Sequence, residues 1–148
     1  MLGVWVPAKR QFLPKFIQQK NVSLLAIMEP KLKPESINDL DRCLHFSHFL
    51  QGQPVNRHIW LFWNDQFFVD LLDSSSHHIS IKVSSNGGYL LLSIVYASYD
   101  PVLRKDLWDS LSTLNSDSAA WFVGGDFNTI MDMSEKKGGG IYGIQDFL

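Results

Sequence analysis

The residue types best suited to chemistry lie in residues 121–128, which read Trp-Phe-Val-Gly-Gly-Asp-Phe-Asn. A short apolar run that ends at two glycines is typical of a buried strand. Asp126 and Asn128 stand two positions apart beyond it, so an extended chain would place both side chains on one side. A carboxylate and an amide in that arrangement suit a metal-bound phosphate. The same residue types also favour an ordinary turn, in which both side chains bond only to local backbone.

Glu29 is a second candidate, because it directly follows an apolar run of strand length over residues 22–28. A charge at the end of a buried strand is costly unless it finds a partner. Lys31 and Lys33 are close enough in sequence to pair with it. Alternatively, Glu29 is a ligand for a hard cation such as Mg²⁺, which takes oxygen ligands and usually only one or two carboxylates.

Tyr96 ends a further predicted strand, over residues 89–96. Glu29, Tyr96, Asp126 and Asn128 therefore share one property: each lies at or just past the end of an apolar strand. In sheets packed with helices, polar groups can gather at such strand ends without being buried.

The elements that must position these residues follow from apolar periodicity. Helices are predicted over residues 7–20, 34–46 and 100–115, and another begins at 141. Pro14 predicts a kink or a late start in the first helix, and Asp100 followed by Pro101 is a typical helix start. Strands are predicted over residues 22–28, 58–63, 67–72, 78–84 and 89–96, and a last one from 119.

Local patterns also predict how some strands are joined. The short polar link Asn64-Asp65 favours a hairpin of residues 58–63 with 67–72. Asn86-Gly87-Gly88 predicts a tight turn between the next two strands. Between residues 78 and 84, polar residues alternate with isoleucine and valine, which predicts a strand with one exposed face.

Composition indicates one domain: the 148 residues are 45% hydrophobic and 13% aromatic, enough for a packed core. No apolar run is long enough to span a bilayer and the start lacks the order of a secretory signal, so we expect an intracellular protein, with the nucleus possible. Cys43 is the only cysteine, so no internal disulfide can form.

Charge is unevenly distributed along the chain. The net charge is −2, but residues 1–34 hold six Lys or Arg against Glu29 alone, a balance of +5, so the remainder carries −7. This asymmetry favours either a polyanion along the N-terminal edge or a solvated helix face with basic flanks.

Histidine and cysteine give little support for a zinc site. Cys43, His45 and His48 form the only cluster of suitable residue types, and it lacks a fourth ligand at a familiar spacing. His77 and His78 are adjacent in a predicted strand, so their side chains point to opposite faces and cannot chelate one metal.

The order of these motifs resembles a known family. A strand followed by Glu (Ala-Ile-Met-Glu-Pro-Lys), a strand followed by Tyr (Ile-Val-Tyr-Ala-Ser), and Gly-Gly-Asp-Phe-Asn followed by Glu-Lys-Lys-Gly-Gly resemble the endonuclease/exonuclease/phosphatase superfamily. The resemblance covers nearly the whole chain. It is closest to the endonuclease domain of plant non-LTR (LINE-type) retrotransposon polyproteins.

The resemblance implies an α/β fold of the DNase I-like kind, a partial four-layer sandwich of two mixed β-sheets packed face to face with outer helices. It also implies Mg²⁺-dependent hydrolysis of phosphodiester bonds in DNA. By that match Glu29 would hold the metal, Asp126 would position or deprotonate the attacking water, Asn128 would orient the phosphate and Tyr96 would contact it.

The chain also departs from the family's pattern. The family has an active-site Asn on a strand before the first helix, a second Asp, and an Asp-His pair near its C-terminus. All five histidines of this sequence precede Asp126. We therefore expect residues 1–148 to be a single, incomplete domain, truncated at both ends, with a very weak or inactive nuclease site. The alternative is a non-catalytic remnant that binds nucleic acid weakly through its basic N-terminal segment or has no function.

Overall fold

The computed structural model describes residues 7–33, 36–50, 58–114 and 119–129. The helices are α1 (Pro7–Lys20), α2 (Ile37–Leu44) and α3 (Pro101–Thr113). The strands are β1 (Leu24–Met28), β2 (His48–Leu50), β3 (Ile59–Trp63), β4 (Phe68–Ser74), β5 (His78–Ser85), β6 (Gly88–Tyr96) and β7 (Trp121–Asp126). The helix predicted from residue 141 lies outside the described residues.

The first sheet has the strand order β1-β3-β2, and both of its pairings are antiparallel. Its central strand β3 is continuously apolar because both of its faces are covered. Trp60 and Phe62 face outward, and they pack with residues of α1 and α2 such as Ile17 and Leu40. Full burial of side chains of this kind stabilises a fold by about 1.5–3 kcal/mol each.

The second sheet has the order β4-β5-β6-β7. Strands β4, β5 and β6 are antiparallel, and the predicted turn at Asn86-Gly87 joins β5 to β6. Strand β7 runs parallel to β6, so the chain must cross over between them, and α3 lies in that crossover. The Asp100 side chain accepts a 2.8 Å hydrogen bond from the Val102 amide, which confirms the predicted start of α3.

The two sheets pack face to face. Ile59 and Leu61 of β3 form a buried cluster with Ile79, Ile81 and Ile94 of the second sheet. On the outer face of that sheet, α3 packs against the end of β6 in a separate buried cluster of four residues, Val95, Ala97, Leu107 and Leu111. The layers are therefore helices, sheet, sheet and helix. This confirms the predicted two-sheet α/β sandwich; among the described strands, the second sheet is mixed and the first antiparallel.

The predicted hairpin of residues 58–63 with 67–72 is wrong. Strands β3 and β4 lie in different sheets, and the link between them crosses the sandwich. A run as apolar as β3 needs cover on both faces and two neighbouring strands, which β1 and β2 provide. Strand β4 is largely exposed and is the outer strand of the second sheet, where only β5 pairs with it among the described strands.

The predicted exposed face of β5 is also wrong at its first half. His78 is only 1% exposed and Ser80 is equally buried. These polar groups are covered because they find partners inside the protein: the Ser80 and Ser93 hydroxyls are 2.7 Å apart, and the Trp121 indole N–H donates to Ser93 Oγ at 3.0 Å. Alternation of period two shows that one face is polar, but a polar face is solvated only where nothing packs on it.

The helix predictions need smaller corrections. Helix α1 is continuous from Pro7 to Lys20 with Pro14 inside it, so it does not start late. Helix α2 begins at Ile37 rather than 34, and residues 34 and 35 lie outside the described ranges. None of the helices described is long and apolar enough to cross a membrane.

Candidate functional site

A hydrogen bond between Tyr96 and Glu29 joins the ends of the two sheets. Strand β1 ends at Met28, and Glu29 then takes a left-handed conformation with φ 47°. Its amide donates to the His58 carbonyl at 2.7 Å. The Tyr96 hydroxyl, at the end of β6, donates to Glu29 Oε1 at 2.5 Å. Two of the four predicted residues are therefore in direct contact.

The hydrogen bond fixes the protonation states of both groups. It is the largest influence holding the pKa of Glu29 below its usual value, and the Lys31 ammonium, 3.5 Å from Glu29 Oε2, lowers it further against the opposing effect of burial. The same bond raises the pKa of Tyr96 to about 12, with burial and the negative charge of Glu29 adding to it. At neutral pH the carboxylate is ionised and the phenol keeps its proton.

His58 is a member of this site that the sequence did not reveal. Its ring stacks on the Tyr96 ring, with centroids 4.8 Å apart and planes inclined by 19°. Its carbonyl accepts a hydrogen bond from the Glu29 amide. His58 directly precedes β3, and the register places Met28 opposite Ile59. Only the pairing of β1 with β3 brings His58 beside Glu29, and no local pattern in the sequence predicts that pairing.

Asp126 ends β7 directly beside Tyr96. The two residues are register partners in the parallel pair β6 and β7, and the Ala97 amide donates to the Asp126 carbonyl at 2.8 Å. The Asp126 side chain is exposed. Its negative charge is one of those that raise the pKa of Tyr96, so the carboxylate lies within electrostatic range of the phenol.

Asn128 closes a tight turn after Asp126. It has a left-handed backbone with φ 46°, so the chain does not stay extended. The Asn128 amide donates to Asp126 Oδ1 at 2.9 Å, which is the local bond that the turn interpretation predicts. Its side-chain amide instead reaches the Ala97 carbonyl at 2.6 Å, 31 residues away. The side chain thus ties the turn to the segment after Tyr96.

Gly125 allows β7 to approach β6 closely. Its φ is +145°, and a Cβ there would lie 2.0 Å from the Val95 carbonyl oxygen. A side chain at this position would push Asp126 away from its place opposite Tyr96. Gly124 has no atom within 4 Å of a hypothetical Cβ, so among the described residues nothing there requires glycine.

Helix α3 supports the turn from outside. The Trp108 ring stacks on Phe127, which lies between Asp126 and Asn128, with centroids 5.8 Å apart and planes inclined by 17°. The motif Gly-Asp-Phe-Asn is therefore fixed on two sides, by β6 and by α3.

Cys43, His45 and His48, the cluster with little support from the sequence as a zinc site, have other surroundings in the structure. Cys43 is exposed, the His45 amide caps α2, and His48 lies 2.8 Å from Asp65. Within the described ranges no group of three or more His, Cys, Asp or Glu side chains lies close enough to hold a metal.

The chemistry of the site nevertheless fits one hard cation. Glu29 is an ionised carboxylate at the surface end of a strand, and Asp126 is a second, exposed carboxylate at the same edge. Mg²⁺ takes oxygen ligands, usually with one or two carboxylates and several waters, so it does not need a third protein carboxylate. Lys31 occupies part of the space near Glu29 Oε2 and would have to share it.

No protein-family model matches the sequence, and a search of curated proteins finds no match. Solved structures do match. TDP2 from C. elegans superposes with a TM-score of 0.57 at 13% identity, over 83% of this chain and 43% of that one. A D. rerio TDP2 humanised by 14 mutations gives 0.62 at 12% identity, over 82% and 58%.

A conserved Enterococcus faecalis V583 protein of unknown function matches with a TM-score of 0.51 at 18% identity, over 85% of this chain and 61% of the other. The chain thus spans about half the length of the structures it matches. At these identities the likeness concerns the fold alone, which is a two-sheet α/β sandwich of the DNase I-like kind.

Proposed function

We propose that the chain carries the metal-binding half of a Mg²⁺-dependent phosphodiesterase site that acts on DNA, of the LINE-type endonuclease kind. The observation that carries this proposal is the hydrogen bond from Tyr96 to Glu29 across the two sheets, with Asp126 in register beside Tyr96. The DNase I-like fold and the motif order support it.

Each residue has a chemical role in this proposal. Glu29 would hold the cation, because its lowered pKa keeps it ionised. A Mg²⁺ ion there would neutralise charge on the phosphate oxygens and lower the pKa of a bound water. Asp126 is an acceptor that can orient or deprotonate an attacking water. Tyr96 keeps its proton over the physiological range and donates a hydrogen bond to Glu29. One N–H of the Asn128 side-chain amide bonds to Ala97, and the second would be the donor to the phosphate.

We further infer that these 148 residues, assayed by themselves, hydrolyse DNA very slowly or not at all. No histidine follows His78, so the Asp-His pair that the resemblance calls for has no counterpart in it. General acid–base catalysis contributes about 10² to 10⁴ in rate, and the members of one catalytic group act together.

Calorimetric titration with Mg²⁺ tests the metal half of the proposal. Wild-type chain should bind the ion and Glu29→Gln should not, because an amide replaces the charged ligand. Asp70→Asn is the matched control, since Asp70 is an exposed carboxylate on β4, and this variant should bind Mg²⁺ as wild type does. A folded wild-type chain that binds no Mg²⁺ would instead support the non-catalytic remnant.

Cleavage of supercoiled plasmid with Mg²⁺ tests the catalytic half. We expect at most a trace of nicking, which Asp126→Asn abolishes. Rapid cleavage that depends on Asp126 would confirm the phosphodiesterase and refute the inferred inactivity. Cleavage unaffected by both Asp126→Asn and Glu29→Gln would place the activity elsewhere or in a contaminant.

A further inference from the structure

Tyr99 presents an aromatic ring to solvent at the edge of the candidate site. Its side chain is 72% exposed, and it follows Tyr96 by only three residues. Its negative form contributes to raising the pKa of Tyr96, so the two phenols lie within electrostatic range.

The backbone that carries Tyr99 is held in place by a buried charge. Arg104 is only 9% exposed, and its Nη1 donates to the carbonyls of Ser98 at 3.2 Å and of Tyr99 at 2.9 Å. The Asp100 amide donates to Ser98 Oγ at 3.0 Å. Burial of a guanidinium is costly without good partners. Here its two hydrogen bonds fix the loop before α3, so little backbone freedom is left to lose when a ligand binds.

We propose that Tyr99 is a stacking platform for an unpaired nucleobase next to the phosphate bound at Glu29, Tyr96 and Asp126. This inference rests on the proposed function. An exposed tyrosine on a fixed backbone offers a large flat face at low entropic cost. Stacking on such a face tolerates any base, because every base has a π-face. Base faces are covered inside a duplex, so the ligand is a single strand or an unpaired end.

The test is fluorescence anisotropy with a labelled oligothymidylate and with an abasic strand of the same length, in Ca²⁺ to keep the strands uncut. Tyr99→Ala should weaken binding of the oligothymidylate by about 5- to 100-fold and leave the abasic strand unchanged. Tyr99→Phe keeps the ring and should bind like wild type. Tyr89→Ala is the matched control, since Tyr89 is 52% exposed at the other end of β6.

The possible failures are distinguishable. If Tyr99→Ala binds oligothymidylate as well as wild type does, the stacking role is refuted while the proposed function stands. Equal loss on both strands, or loss in Tyr99→Phe, would show a hydroxyl contact to the phosphate backbone and also refute stacking. If wild type binds neither strand, the proposed function fails and this inference fails with it.

Discussion

The Tyr96 hydroxyl and the Glu29 carboxylate, 67 residues apart in the chain, meet in a hydrogen bond of 2.5 Å. Glu29 directly follows β1 and Tyr96 ends β6, and these strands belong to different sheets, so the bond forms only when the two sheets pack. A charge-assisted bond of this kind is roughly twice as strong as a neutral one. It therefore reports both on the assembly of the sandwich and on the electrostatics of the candidate site.

Tyr96 should titrate about two units later than an ordinary tyrosine, since its pKa is raised to about 12 from 10.0. Tyrosinate absorbance followed against pH should show a late-titrating phase from Tyr96 in wild type. Glu29→Gln should move that titration towards 10, because the amide accepts a weaker bond and carries no charge. Tyr89→Phe should leave the late phase intact, and a late phase that survives in Tyr96→Phe would contradict the assignment.

The same shift predicts a loss of stability at high pH. A group whose pKa is higher in the folded state contributes its stabilisation fully below the unfolded pKa and loses it as pH rises through the folded one. The contribution of Tyr96 is therefore present up to about pH 10 and disappears between there and pH 12. Urea denaturation across this range should show a smaller decline for Tyr96→Phe than for wild type, and an equal decline would contradict the prediction.

The two glycines before Asp126 should respond differently to alanine. Gly125→Ala would place a methyl group 2.0 Å from the Val95 carbonyl oxygen at a φ of +145°, so the free energy of unfolding should fall by more than about 1 kcal/mol. Gly124→Ala meets no atom within 4 Å and is the matched control. Chemical denaturation measures the free energy of unfolding of both variants. Similar losses of stability in the two would refute the close approach of β7 to β6 at Gly125.

Local sequence patterns were sufficient to locate the strand ends that form the candidate site. Glu29, Tyr96 and Asp126 each follow an apolar run, and the structure brings all three to one edge. The start of α3 was equally local, because Asp100 both caps it and precedes Pro101. The catalytic roles of Glu29, Tyr96 and Asp126 stay predictions.

What the sequence could not predict depends on non-local pairing. The place of His58 beside Tyr96 requires β1 to pair with β3, and the false hairpin arose because a short polar link favours neighbouring strands by proximity alone. Asn128 departed from the expected extended chain because asparagine tolerates a left-handed backbone, which the spacing from Asp126 does not reveal. Burial of His78 depended on Asp73 and Ser75, each 2.9 Å from one of its ring nitrogens.

His58 should stabilise the position of the Tyr96 ring by stacking. His58→Ala should lower the free energy of unfolding by about 0.5–1.5 kcal/mol beyond the loss of buried area, as aromatic pairs do. His58→Phe keeps a flat ring and should recover most of that loss. The backbone bond to the Glu29 amide is present in both variants, so the comparison isolates the ring. Thermal denaturation of the two variants tests this prediction. A His58→Ala chain as stable as wild type would refute the stabilising role of the His58 ring.

Asn128 should contribute to stability in two separable ways. Its side-chain amide bonds to the Ala97 carbonyl, and its backbone occupies the left-handed region. Asn128→Ala loses the bond, about 1 kcal/mol, and keeps a Cβ at positive φ without the local side-chain hydrogen bonding that lets asparagine tolerate this region. Asn128→Gly also loses the bond but has no Cβ at positive φ, so it should be more stable than Asn128→Ala by roughly 1 kcal/mol. Urea denaturation of wild type and both variants measures the two differences. If Asn128→Gly unfolded as readily as Asn128→Ala, this result would contradict the left-handed backbone of Asn128 in the turn after Asp126.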